Sequence, residues 1–221
     1  MDSSLISRAK DIIAQEGFRG LLIKCFTFPA KQGFLGMRYE IRDYIEHDAS
    51  IERNAEDFLP RIADFTCHVV CTEEQADELE AEGYEFRSHQ VSARKALANG
   101  AIAVCIFVQH ELAHIGWIAV SEEAMPYVDH WLKVDFTNKE ACTGCALTIP
   151  KYRGAGLHKY GIYLRLDLLR GRGVVKSKAT VGVGNFASQR VNAKYAPKLY
   201  ARVRYFRFLG RDFWKDLPIT P

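Results

Sequence analysis

The sequence predicts a mixed α/β (α+β) fold built on one sheet, and three observations carry that expectation. From about residue 62, strand-like and helix-like segments alternate in a regular way. Two apolar runs, "AIAVCIFVQ" (101–109) and "LAHIGWIAV" (112–120), flank His110-Glu111 as the arms of a hairpin would. After residue 141 the pattern finishes as β-α-β-α-β, punctuated by Pro150, Pro197 and clustered glycines.

In chain order, residues 3–16 place Leu5, Ile6, Ala9, Ile12 and Ile13 at helical spacing, which predicts an amphipathic helix. "LLIKCFTF" (21–28) reads as a strand or short buried segment, and "GMRYEIRDYIEH" (36–47) alternates too poorly to assign. "DFTCHVVC" (64–71) is strand-like. Thr72 is placed to cap a helix over 73–83, whose acidic first turn suits the helix dipole. A short helix over 92–100 ends in Asn-Gly. "ACTGCALTI" (141–149) is a strand, "GLHKYGIYLRLDLLRGRG" (156–173) a helix, and "VVKSKATVGVG" (174–184) a strand. A helix over 185–196 and a long strand over 199–210 follow. In the 156–173 helix, Leu157, Gly161, Leu164 and Leu168 share one face.

With 221 residues, 48% hydrophobic, the chain can build one large domain or a domain with an extension. No apolar run approaches the roughly 18 residues of a membrane helix. Asp2 and the lack of an apolar leader argue against a signal peptide. Six scattered cysteines in a chain of this size favour a reducing, cytoplasmic setting. Charge is unevenly placed: residues 43–90 hold 3 basic and 14 acidic residues, and residues 91–221 hold 20 and 9. The basic half would attract a polyanion, with nucleic acid and a phosphorylated cofactor as the candidates.

The stretch "TIPKYRGAGL" (148–157) bears most directly on chemistry. A strand stops at Pro150, and a helix begins after two glycines. First-turn amides have no partners inside a helix and sit at its positive end, so phosphate oxygens can accept from them. Gly154 and Gly156 would let the backbone approach a pyrophosphate, while Lys151 and Arg153 would add counter-charge. No P-loop is present. "GVGNFA" (182–187) formally fits a dinucleotide pattern, but the acidic residue expected about 20 positions later is missing.

"PKYRGAGL" resembles the pyrophosphate-binding signature of the GCN5-related N-acetyltransferase (GNAT) family, Q/R-x-x-G-x-G/A. Lys151 stands in the first place, Gly154 and Gly156 in the glycine places. Asn185, with Ser188 one turn on, stands where the family places an Asn in its last βα unit. The resemblance covers about residues 62–221, which would form the acetyltransferase domain, and leaves residues 1–61 as an N-terminal extension. It implies acetyl-CoA, or another acyl-CoA, held between the strands 141–149 and 174–183. Backbone groups near Leu147, Thr148 and Ile149 would pair with pantetheine. Amides from Lys151 through Arg153, Gly154, Ala155 and Gly156 would hold the pyrophosphate, and Asn185 and Ser188 would face the pantetheine arm. The implied activity is direct acyl transfer to an amine of a small molecule, amino sugar or peptide, with no metal.

Such a transfer needs a base for the amine and an acid for the thiolate. The family often uses a Tyr seven residues after its Asn, but here that position is Asn192, which carries no acid. Tyr195 is the nearby candidate. Glu111 and His114 are the candidate bases on the hairpin, and Glu140 opens the next strand. Four cysteines in "CHVVC" and "CTGC" raise a zinc site, but they lie in expected strands rather than turns, so buried thiols are the expectation. Two rival readings remain: a CoA-binding sensor or scaffold without turnover, and a nucleic-acid binder using Tyr195, Tyr200, Tyr205 and Phe206 interleaved with Arg202, Arg204 and Arg207. Alternation on a strand also gives one buried and one solvated face, so nucleic acid is not the expected partner, and with no long apolar run no membrane span is expected. The extension could cover the acceptor site, pair two subunits as a homodimer, or pack on the sheet.

Overall fold

The computed structural model describes residues 35–47, 54–86, 93–129, 131–208 and 211–217. The helix expected over 3–16 and the segment 21–28 lie outside the described residues. Among the described residues, eight strands form a mixed sheet: β1 (Leu35–Glu46), β2 (Phe65–Val70), β3 (Ile102–Val108), β4 (Glu111–Ala119), β5 (Glu140–Thr148), β6 (Lys176–Gly182), β7 (Lys198–Phe208) and β8 (Arg211–Leu217). Their order is β2-β3-β4-β5-β6-β1-β7-β8. Pairing is antiparallel from β2 through β5, parallel between β5 and β6, and antiparallel between β7 and β8. The described helices are α1 (Glu73–Ala81), α2 (Ala93–Ala98), α3 (Met125–Val128), α4 (Leu157–Gly171) and α5 (Phe186–Asn192).

The chain divides into two compact units. The larger comprises Ile41–Val181 and Asn185–Tyr200, and it holds the sheet centre and every described helix. All seven residues of β3 are buried, because helices cover both faces of that strand. Ala103, Cys105 and Phe107 pack with residues of α1 and α2 on one face. Val104 and Ile102 meet Leu169 of α4 on the other, and Ile106 and Val108 meet Leu157. Each fully buried Leu, Ile or Phe contributes about 1.5–3 kcal/mol over an exposed one. The hairpin joining β3 to β4 turns on Gln109 and His110, not on the expected His110-Glu111. Both turn residues have positive φ (51° and 69°), the backbone a two-residue hairpin demands. Thr72 caps α1 as expected, its side chain accepting from the Gln75 N–H at 3.2 Å.

The segment 36–47, whose pattern alone assigns no element, is strand β1. His47 N–H donates to the Val175 carbonyl and Val183 N–H to the Tyr39 carbonyl, each at 2.9 Å. As one partner's number rises the other's falls, so β1 lies antiparallel beside β6. Part of the segment read as an extension therefore belongs to the sheet.

The smaller unit comprises Met1–Glu40, Gly182–Gly184 and Ala201–Pro221. Its described hairpin, β7 and β8, pairs Tyr205 with Trp214 and Phe206 with Phe213. Phe206, Phe208, Phe213 and Trp214 are exposed, whereas Val203 and Tyr205 are buried. Among the aromatics considered for base stacking, Tyr195 and Tyr205 are thus inaccessible. No described helix is long and apolar enough to cross a membrane.

Candidate functional site

The centre of the sheet is forked. β5 and β6 pair only at Glu140–Lys176, Ala141–Ser177 and Cys142–Lys178. Beyond Cys142 the register with β4 also jumps: Ile115 faces Leu147, but Trp117 faces Gly144. Cys145 and Ala146 therefore share a bulge opposite Gly116, and Cys145 takes a φ of 45°. A bulge bends its strand, which accounts for the loss of pairing with β6. Cys145 and Ala146 are exposed although β5 has strands on both sides, so the fork is open. At its base the Glu140 carboxylate binds Lys178 at 2.5 Å and Lys176 at 3.4 Å, clamping the two strands where they still pair. Burial alone would raise the Glu140 pKa, but hydrogen bonds from Lys178 and the Asp135 amide outweigh it and hold the acid below its usual value. The Glu140 carboxylate is thus engaged with both lysines of β6.

The glycine loop lies at the open end of β5. Pro150–Tyr152 form one 3-10 turn, and Gly154 and Gly156 adopt φ of 83° and 88°. Gly156 begins α4 with no side-chain cap. The first intrahelical bond runs from Tyr160 N–H to the Gly156 carbonyl. Among the described residues, the N–H groups of Gly154 through Lys159 have no protein acceptor. The carbonyls are pinned from behind: Arg61 N–H donates to Ala155 O at 2.7 Å, and Arg61 Nη2 to Gly154 O at 2.9 Å. A Cβ on Gly154 would meet nothing within 4 Å. The loop thus offers a row of amides with no protein acceptor among the described residues, and open space at Gly154.

Several sequence-derived roles change at this point. Lys151 does not stand ready as counter-charge, because its Nζ is bound to Glu111 Oε2, which also accepts from the Tyr152 hydroxyl at 2.9 Å. An ion-paired Glu111 is a poor base. Arg153 Nε donates to the Thr148 carbonyl at 3.3 Å. Tyr195 is 2% exposed, stacks on Phe58 and donates to the Lys159 carbonyl at 2.6 Å, so its proton is committed to the core. Asn185 caps α5 by accepting from the Ser188 N–H. Leu147 packs against the core, and Ile149 N–H donates to the Ala113 carbonyl. The CxxC of β5 and the cysteines near β2 are separated by β3 and β4, about 14 Å at strand spacing. No described cluster of three or more His, Cys, Asp or Glu could hold a metal.

His114 is fully buried under α4. Its Nδ1 lies 2.8 Å from Thr148 Oγ1, while Nε2 has no hydrogen-bond partner among the described residues. Burial, then the nearby Arg165 and His158, hold its pKa well below the usual range. His158, 3.4 Å from Ser188 Oγ, is lowered to about 4, chiefly by burial. Two glycines accommodate this polar seam. A Cβ on Gly161 would collide with His114 Nε2, and one on Gly116 with the Arg165 guanidinium. Gly116→Ala should cost about 1–3 kcal/mol by overpacking. Chemical denaturation should show that cost largely vanish in an Arg165→Ala background; an undiminished cost would mean the strain lies elsewhere.

Sequence reasoning missed one further group. Asp43 on β1 is 7% exposed and is hydrogen-bonded to Asn192 of α5. Burial raises its pKa to about 6. By the β1–β6 pairing Asp43 lies opposite Ala179, the first residue of β6 past the fork's last pair.

No family model and no curated protein matches the chain. Solved structures do. The GCN5-related glucosamine N-acetyltransferase region of a fungal multi-domain GH3 β-N-acetylglucosaminidase gives a TM-score of 0.52 at 14% identity, over 84% of this chain and 22% of that one. A tandem GNAT protein from the clavulanic acid biosynthesis pathway gives 0.48 at 15% identity, over 89% and 59%. A GCN5-related N-acetyltransferase from Sphaerobacter thermophilus gives 0.49 at 12% identity, over 88% and 56%. The chain spans less than two thirds of each of these solved chains. The forked sheet, the order of its elements and the first of these likenesses lead to one architecture: this chain has the fold of the GCN5-related N-acetyltransferases.

Proposed function

We propose that this protein is an acyl-CoA-dependent N-acyltransferase acting on an amine of a small molecule, amino sugar or peptide. The observation that supports it best is the fork opening beside an uncapped helix start, with unpaired amides from Gly154 to Lys159 at that end. These residues fit a CoA thioester. Amides with the helix dipole behind them suit a pyrophosphate, and the unpaired edge of β5 from Cys145 to Thr148 suits the amide-bearing pantetheine arm. When bound, the thioester supplies an activated acyl carbon. The chain's own part is to hold the donor, orient the acyl group in the fork and move protons.

For proton transfer Asp43 is better suited than Glu111, His114 or Tyr195. Its pKa of about 6 lets it release or accept a proton near neutrality, and it sits one strand from the fork. A second reading, binding without turnover, is favoured by the engagement of Glu111 and Tyr195 in other bonds. One experiment separates the two. Acetyl-CoA should bind with micromolar affinity by calorimetry, and its thioester should be consumed when a panel of amines is offered. Binding without consumption would leave the scaffold reading; no binding would end both.

A further inference from the structure

Position 165 lies on the inner face of α4, among Ile162, Leu166 and Leu169, where a helix packed on a sheet would ordinarily hold an apolar residue. It holds an arginine that is 4% exposed. β4 makes room for it at Gly116. Its Nε and Nη1 have no acceptor among the described residues. The described titratable groups around it are His114, His158, Cys142 and Tyr195, and none of them is a carboxylate. Both histidines are held toward their neutral forms. Burial lowers the Arg165 pKa to about 10, which still leaves it charged at neutral pH.

A buried charge without a partner is costly, and an apolar side chain of similar size would avoid that cost. The location suggests what offsets it. Cys142, which feels the Arg165 charge, is the last residue of β5 still paired with β6. Gly116, on which the guanidinium rests, faces the bulged and exposed Cys145–Ala146. The cation therefore rests against β4 directly across from the bulge that opens the fork.

Resting on the acyl-CoA reading, we propose that Arg165 recognises a carboxylate at the far end of the acyl group, so that the preferred donor is a dicarboxylic acyl-CoA of the malonyl or succinyl class. A guanidinium binds a carboxylate through two parallel N–H bonds, which a Lys cannot reproduce. An acetyl group leaves Arg165 Nε and Nη1 buried and, among the described residues, without an acceptor. A site built around an unpaired polar group discriminates strongly against ligands lacking the complement, here by about 100-fold or more.

The test is calorimetric titration of the full chain with acetyl-CoA, malonyl-CoA and succinyl-CoA, repeated on Arg165→Leu and Arg165→Lys, with thermal melts of each variant. One dicarboxylic thioester should bind the native chain about 100-fold more tightly than acetyl-CoA. Arg165→Leu should remove that preference, and Arg165→Lys should retain only part of it. Equal preference in native and Leu forms would overturn the proposal while leaving the acyl-CoA reading intact. So would a Leu variant whose only defect is slower acetyl turnover, which would assign Arg165 to the oxyanion. Failure of every thioester to bind the native chain would sink both readings together.

Discussion

Gly154→Glu should lower acetyl-CoA affinity at least 100-fold, about 2.7 kcal/mol, while shifting the melting temperature only a few degrees. At a φ of 83° any L side chain is strained, by about 1–2 kcal/mol. The strain is tolerable because a Cβ there meets nothing within 4 Å. The new carboxylate would lie beside the amides of Gly154 to Lys159 and occupy the phosphate position with like charge. Gly173→Glu supplies the control: its φ is 72°, its surroundings are equally open, and it lies past the opposite end of α4. Calorimetry should show the first variant blind to acetyl-CoA and the second unaffected. Equal losses from both would remove the phosphate role from the loop.

Asp43→Asn should stabilise the protein at pH 7 by about 3 kcal/mol and yet slow acyl transfer. An acid whose pKa rises from 3.8 to about 6 on folding favours the folded state when protonated. That contribution is complete below about pH 4 and is lost as pH climbs through 6. Each tenfold change in proton affinity between the unfolded and folded chain is worth about 1.4 kcal/mol. His158 runs the other way: lowered from 6.5 to about 4, it contributes stability above pH 6.5 that is lost as pH falls toward 4. In the native chain the two slopes oppose each other over that interval. Asp43→Asn leaves the histidines alone, so its stability should fall more steeply on acidification. Denaturation at pH 4, 5, 6 and 7 would reveal this. A neutral or destabilising Asp43→Asn at pH 7 would contradict the buried-acid account. Greater stability with undiminished turnover would remove Asp43 from the chemistry.

Much of the architecture is legible in the sequence because local signals govern it. Thr72, Pro150 and Gly156 mark element boundaries by capping, ring geometry and left-handed backbone, none of which needs tertiary context. The apolar run of β3 announces a strand buried on both faces. β1 gives no such sign, because Arg42 and Asp43 are consecutive, both buried, and necessarily on opposite faces. Arg42 is accommodated by donating to the Trp131 carbonyl at 3.2 Å, and Asp43 by Asn192, partners far away in sequence. Strand β8 lies beyond Gly210, where the apolar pattern breaks. Within α4 the stripe 157, 161, 164, 168 is rotated from the buried one, which runs 157, 161, 162, 165, 166, 169. The rotation conceals Arg165, since an arginine on a helix ordinarily reads as solvated. Two glycines in apolar surroundings, Gly116 and Gly161, are the one clue the sequence offers: each marks a close approach by a side chain from the opposing element.

The place of β1 has a consequence for the order in which the molecule can be completed. The strand stands near the start of the chain, but its neighbour β6 begins roughly 130 residues later. A ribosome adding about 5–20 residues per second leaves β1 waiting some 7–25 seconds for a strand to pair with. Meanwhile β2 to β5 can zip up in sequence as each antiparallel neighbour emerges. During synthesis, the strand beside the fork is an unpaired edge, the kind of surface on which other chains nucleate aggregation. The proposed catalytic Asp43 therefore reaches its position late, after the glycine loop has already been made.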